Sequence, residues 1–256
     1  MKRQNVLDTE TTGFNPKSGD KLVEIGVVEL IDGVKTGKVY HQIINPMRLI
    51  PADSTAIHNI TDEDVKGKPV FKDMVDGFLK FIEGSELIIH KADFDVKFIN
   101  EELERAGKGK LLSYVTNVRC SLELSKALFP KPKKQKGETP EEEAYRKLGY
   151  SLDSMCDRLN VDRTHRIHHL ALLDADLLAD MFIKINEKFP LAELEEQVEQ
   201  RAWVRPEHKI FEGLNLTRVS VDKKDLEAHL AELDVMEKEN KVTPVFKINK
   251  TATLKI

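Results

Sequence analysis

Two cysteines, one tryptophan and no long apolar run set the first limits on this 256-residue chain. Cys120 and Cys156 do not make a disulfide scaffold, and their spacing makes no zinc motif. No stretch approaches the ~18 apolar residues of a membrane span. The opening residues 1–5 carry no secretory h-region and lead straight into a strand-like run, so a cytoplasmic location is expected. A surplus of basic charge is missing too: 40 Lys+Arg against 44 Asp+Glu gives a formal charge of −4. Proteins that coat polyanions without specificity run on surplus Lys and Arg, and that class is excluded. No internal repeat is visible. Hydrophobic residues make up 40%, enough to bury a core, and charged ones 33%. At ~100–200 residues per domain the length allows one full domain plus a remainder.

The first half reads as strands. Residues 5–8 are short and apolar, and residues 22–30 are rich in Val, Ile and Leu. Asp32-Gly33 then reads as a hairpin turn, and residues 39–44 follow. Three strands on short turns predict an antiparallel meander. Residues 71–82 predict a helix with Val75, Phe78, Leu79 and Ile82 on one face. A buried strand at 87–89 and a helix at 94–106 come next, which argues an α/β fold with a mixed sheet. The charged stretch 131–149 is an insert: a lysine cluster, then acids. Within it Thr139, Pro140 and Glu142 fit an N-cap, first helical position and capping box, with Gly149 as a stop. It is read as a short solvated helix on a surface loop, with a nucleic-acid role for the lysines as the alternative. Ser151 caps a further helix that Asn160 ends, and a helix with a broad apolar stripe covers about 170–185. Beyond a boundary near 187 lie Trp203, a β-like piece at 214–221 and a charged helix near 222–238.

Three pieces carry chemistry. Asp8 and Glu10 end the first strand, and residues i and i+2 of a strand share a face. Two such carboxylates repel unless a cation lies between them, and a hard divalent ion with oxygen ligands would supply it. The bland alternative is a solvated strand end. Asp95 falls at the turn from the strand 87–89 into the next helix, where α/β sites usually lie. Asp93 there reads as an acid facing the helix dipole, and His90 as a core histidine. Asp174 sits in the apolar run of the late helix, where an unpaired acid would cost several kcal/mol, so it points to water or binds a metal. His169, five residues earlier, is about 140° away around a continuous helix and is expected on the loop before it. His165 and His168 are neighbours open to the same role.

This ordered set resembles the DnaQ-like, DEDDh-type 3′–5′ exonuclease superfamily and, within it, the family of proofreading subunits of bacterial DNA polymerase III. The likeness covers residues 4–187. It is carried by Val6-Leu7-Asp8-Thr9-Glu10-Thr11-Thr12-Gly13, Glu24-Ile25-Gly26, Ile57-His58-Asn59-Ile60-Thr61-Asp62, the run from His90 to Asp95, Tyr150-Ser151-Leu152-Asp153, and the run from His169 to Asp174. The resemblance implies an RNase H-like fold: a mixed five-stranded sheet, its first three strands antiparallel, flanked by helices. It implies that Asp8, Glu10, Asp95 and Asp174 hold two divalent ions, Mg²⁺ or Mn²⁺, with Asp8 bridging. His169 would be the general base, a task an imidazole suits at neutral pH. Thr9, Glu10, Thr11, Asp53 and His58 match positions that contact the terminal nucleotide, as do Asp8 and Asp174 through the metals. Four positions depart from the pattern: Lys91 replaces an asparagine, Leu170 a glycine, Cys120 an aspartate and Asp53 a glutamate.

The same resemblance implies partners: the frayed or single-stranded 3′ end of a DNA primer, and the polymerase (alpha) subunit. Residues 188–256 would be a linker and docking tail, with Leu226, Leu230 and Leu233 as an apolar stripe for that subunit. A small stabilising subunit is left open. The family's glutamine-led clamp-binding peptide has no convincing copy, because Gln197 and Gln200 are followed by poor matches. Two rivals are a stand-alone exonuclease acting on RNA or in DNA repair, against which the tail argues, and a non-catalytic interaction module, against which the four acids and the histidine argue.

Overall fold

A computed structural model describes residues 1–132, 134, 137–164, 166 and 168–189. Five strands form one mixed sheet: β1 (Arg3–Thr11), β2 (Leu22–Ile31), β3 (Val34–Ile43), β4 (Glu86–Ile89) and β5 (Asn117–Cys120), in the order β3-β2-β1-β4-β5. β1 to β3 run antiparallel in sequence, while β4 pairs parallel with β1 and β5 parallel with β4. This is the expected meander with a parallel extension. The β2–β3 turn is made by Asp32 and Gly33, both at positive φ, the backbone that a tight primed hairpin turn requires.

Helices cover both faces of the sheet. Adjacent residues of the central strands point to opposite sides, and both sides are dry. Leu7, Leu87 and Ile89 pack with α3 (Phe71–Ile82) and α4 (Asp93–Arg105) through Phe78, Phe98 and Ile99. Val6 and Ile88 pack on the other side with α7 (Leu152–Leu159) and α8 (Ala171–Lys188) through Met155, Leu178 and Phe182. The short α1 (Ala52–His58) and α2 (Asp62–Val65) join β3 to α3, and α5 (Ser121–Leu128) follows β5. In the insert, α6 (Pro140–Lys147) has the Thr139–Glu142 capping box, but it ends at Lys147, before Gly149. Ser151 caps α7, and Asn160 closes it in the left-handed conformation.

One contact sets the position of the late helix. Asp8 of β1 lies opposite Gly26 of β2, and the first turn of α8 rests on Gly26, where a Cβ would collide with the backbone of Ala171 and Leu172. Beside it, the buried Glu24 accepts the Ala171 N–H at 2.8 Å and His41 Nε2 at 2.6 Å. Glu24 therefore caps a helix whose own N-cap residue, Leu170, offers no side-chain bond. Among the described residues no helix is long and apolar enough to cross a membrane. The sequence elements expected beyond residue 189 lie outside the described residues.

Candidate active site

Strand alternation decides where each acid goes. Val6, Asp8 and Glu10 share a face of β1, the face that carries α7 and α8. Both acids therefore aim toward the start of α8, where Asp174 lies in the first helical turn. Leu7 and Thr9 face the other way, toward α4. There the Thr9 hydroxyl donates to Asp95 Oδ1 at 2.6 Å and fixes that carboxylate from across the sheet. Asp95 is the third residue of α4, reached from β4 through Lys91, whose φ is +60°. Asp95 and Asp174 are each 3% exposed and Glu10 is 9% exposed.

Carboxyls crowded in a poorly hydrated place hold their protons more tightly. Burial first, then the charges of Asp95, Glu10 and Asp174, hold the Asp8 carboxyl well above the usual range. Burial, helped by Asp174 and Glu24, pushes Glu10 up to about 9. Burial takes Asp95 to about 7, against the opposing pull of the Thr9 hydroxyl. Arg166 offsets part of this. Its guanidinium is 9% exposed and grips both oxygens of Asp174, with Nη2 to Oδ2 at 2.6 Å. Nη1 reaches Asp153 at 2.6 Å and Nη2 reaches His169 Nδ1 at 2.7 Å. The acid that looked costly in an apolar helix is thus paired.

His169 precedes α8, as its spacing requires, and its backbone N–H donates to Ile57 O. Its side chain is 49% exposed, with Nδ1 at 3.2 Å from Asp174 Oδ2. One ligand atom from each of Glu10, His169 and Asp174 lies within 4.8 Å of the other two. The donor set fits a hard divalent cation: carboxylate oxygens dominate, and the raised proton affinity of Asp8 and Glu10 marks crowded negative charge.

The cluster opens into a two-lobed cleft. Both lobes share Asp8, Thr9, Glu10, His90, Lys91 and His169. One lobe, about 360 Å³, adds Thr11, Asp95 and His58 and an apolar wall of Phe14, Ile57 and Phe94. His58 is buried, and its Nδ1 accepts the Ile60 amide at 3.0 Å. The other lobe, about 640 Å³, continues past Arg166 and Asp174 to Lys126, Lys131 and Tyr150. Asp53 is exposed on α1 and lines neither lobe; its neighbour Ser54 does. His168 is exposed and lines neither lobe, while His165 lies outside the described residues. Asp93 is exposed at the start of α4. His90 is not the core histidine that the sequence suggests. It is half-buried in the cleft wall, with Nδ1 at 2.9 Å from Ser121 Oγ, because it continues the Ile88 face of β4 beyond the end of the strand. Sequence reasoning missed Arg166, since a single arginine among loop histidines carries no spacing signal.

A family model described as an exonuclease matches residues 6–182. The DNA polymerase III subunit epsilon of Rickettsia felis is 40% identical over 185 residues, covering 72% of this chain and 74% of its own. The protein of that name from Salmonella typhimurium is 34% identical over 247 residues, covering 92% and 94%. Among solved structures, the nuclease domain of 3′hExo, a DEDDh family member bound to rAMP, superposes with a TM-score of 0.60 at 15% identity, over 73% of this chain and 92% of that one. Exonuclease X in complex with 5′ overhanging duplex DNA does so with a TM-score of 0.53 at 23% identity, over the same shares. These two likenesses are of fold.

Proposed function

The chain belongs to the exonuclease family whose model spans residues 6–182, and from that premise we propose that it is a proofreading 3′–5′ exonuclease working within a DNA polymerase III complex. The observation that carries the reading is the cleft floored by mutually repelling carboxylates with a histidine at its rim. Relatives named as polymerase III epsilon subunits, one of them alike over 92% of this chain, support the replicative setting. The substrate is the 3′ end of a DNA primer, which reaches a cleft most easily when mismatched and frayed, because little pairing energy is then lost. The products are nucleoside 5′-monophosphates. Working beside a replicating polymerase places the protein in the cytoplasm.

Asp8, Glu10, Asp95 and Asp174 would hold two divalent ions, Mg²⁺ or Mn²⁺. Such a pair, when bound, supplies a nucleophilic water and positive charge for both the attacking and the leaving oxygen. The chain's own residues do the rest. Thr9 keeps Asp95 oriented, and Glu24 holds the helix that carries Asp174. His169 would take the water's proton on its imidazole, whose Nδ1 here accepts from Arg166 Nη2. The smaller lobe takes the terminal nucleoside: Phe14, Ile57 and Phe94 suit a base, and Thr9, Glu10, Thr11 and His58 suit the sugar end. Asp53, exposed on α1 next to Ser54, would join the substrate contacts only by reaching over the rim.

Residues 1–187 form the nuclease domain in this reading, and 188–256 the linker and the segment that binds the polymerase alpha subunit. A small stabilising subunit remains a candidate third partner, and the missing glutamine-led peptide argues against a strong sliding-clamp contact. The test is Asp8→Ala, which should abolish Mg²⁺- or Mn²⁺-dependent release of mononucleotides from a 3′-mismatched primer. Retained activity would overturn the metal assignment. Co-purification of the full chain with a replicative polymerase checks the setting, and its failure would favour a stand-alone enzyme.

A further inference from the structure

We propose that the larger lobe is a track for the strand on the 5′ side of the scissile phosphate, with Lys126 and Lys131 as its phosphate contacts. The inference rests on the exonuclease reading and adds a path for the strand. A scissile phosphate must sit by Asp8, Glu10 and His169, on the wall common to both lobes. The terminal nucleoside and the rest of the strand then leave that point in different directions. The two lobes differ in chemistry. The smaller has the apolar ring wall that a base needs, while the larger gathers Lys126, Lys131 and Tyr150 at its far end and is nearly twice the size. A polyanionic backbone belongs in the second.

The side chains there are arranged for that use. Tyr150 is fixed by its hydroxyl, which donates to Phe129 O at 2.7 Å. The Lys131 ammonium lies 5.7 Å from the centre of the Tyr150 ring, and no carboxylate pairs with it among the described residues. An ammonium held by a ring keeps its hydrogen bonds free for a phosphate. Lys126 pairs with Glu123, but the pair is exposed, 47% and 66%, and such pairs contribute at most about 1 kcal/mol. A phosphate displaces it readily. Lys131 opens the charged insert, within which Glu138 pairs with Arg146 at 2.6 Å. Its first lysine lines the cleft. The insert is then part of the substrate path and not merely a solvated charge run.

The test uses the full chain and single-stranded oligonucleotides of two to twelve nucleotides. For the wild type, KM should fall with length until the track is filled. In Lys126→Ala/Lys131→Ala that length dependence should largely vanish. The slope of log(kcat/KM) against log[salt] should flatten by about 0.7 per lost phosphate contact, so the wild type should lose about sevenfold more than the variant between 50 and 200 mM salt. The Lys126→Arg/Lys131→Arg variant should restore both. A folded alanine variant that keeps the length dependence and the slope overturns the track, as does a wild type with no length dependence. A wild type that releases no mononucleotide at any length overturns the nuclease reading and the track with it.

Discussion

Gly26 is the position where a single methyl group should do the most damage at the least chemical distance. A Cβ there would lie far inside the 3.0 Å that real Cβ atoms respect, and its neighbours are backbone atoms of Ala171 and Leu172, which cannot swing aside. To regain ordinary contact near 3.4 Å, the first turn of α8 must retreat from β2. A retreat of about 1 Å is the scale at which misplacing a catalytic group costs about 10²-fold in rate. It would draw Asp174 away from Asp8, which sits opposite Gly26, and stretch the Glu24 cap on Ala171. Overpacking a dry interface also costs about 2 kcal/mol, or about 4–8 °C in Tm for a chain this long. The assay is kcat/KM on a 3′-mismatched primer, at a temperature where circular dichroism shows the variant folded, together with calorimetric Mn²⁺ affinity. Both should fall in Gly26→Ala. Gly77→Ala makes the same chemical change in α3, where the new Cβ meets only a Tyr40 carbon at 3.9 Å. It should stabilise by about 0.5–1 kcal/mol. If Gly26→Ala keeps kcat/KM within threefold, Gly26 does not set the position of α8.

Further outcomes follow from the site. His169→Ala should cut the rate by about 10²–10⁴-fold, the usual worth of a general base, while Mn²⁺ still binds; an equal loss from His168→Ala would move the base. In EDTA the protein should lose stability as pH rises from near 4.5 to about 9. Across that window Glu10 stays protonated in the folded state but ionises when unfolded, so the folded state holds more protons. Mn²⁺ should raise Tm more at pH 8 than at pH 5, and a Tm in EDTA that climbs with pH would contradict the crowded-carboxylate account. Lys91→Asn should recover up to about 1 kcal/mol, because asparagine tolerates the left-handed backbone that Lys91 adopts; thermal melts check this. Truncation after Glu187 should spare mononucleotide release and abolish co-purification with the polymerase subunit.

Much of this molecule is legible in its sequence wherever the signal is local. The apolar face of α3, the Thr139 capping box, the Ser151 cap and the Asp32-Gly33 turn each rest on a few adjacent residues, and each is present. The short α1, α2 and β5 are not foreseen. α1 follows Pro51, which offers no side-chain cap, and only His58 in it is buried, while α2 and β5 are four residues each. The acids stand out because strand spacing and an acid in an apolar helix break the pattern around them. Arg166 does not stand out, and Glu24 and Gly26 stand out only as a family motif, with nothing to say what they touch. Their work is done across the fold, as in the bond from Ala171 to Glu24 over 147 residues of chain, and no window along the sequence holds both ends.

That long-range bond has a consequence for the life of the chain before it is finished. During synthesis β1 emerges long before α8, so Asp8 and Glu10 are made well ahead of Asp174. Until α8 has been made and has docked on Gly26, there is no Asp174 beside them and no ordered loop to present His169. Domains fold as their last necessary element arrives, and contacts this distant in sequence form late. On the proposed function, a ribosome translating this message carries an incomplete cluster until the helix that bears Asp174 has docked.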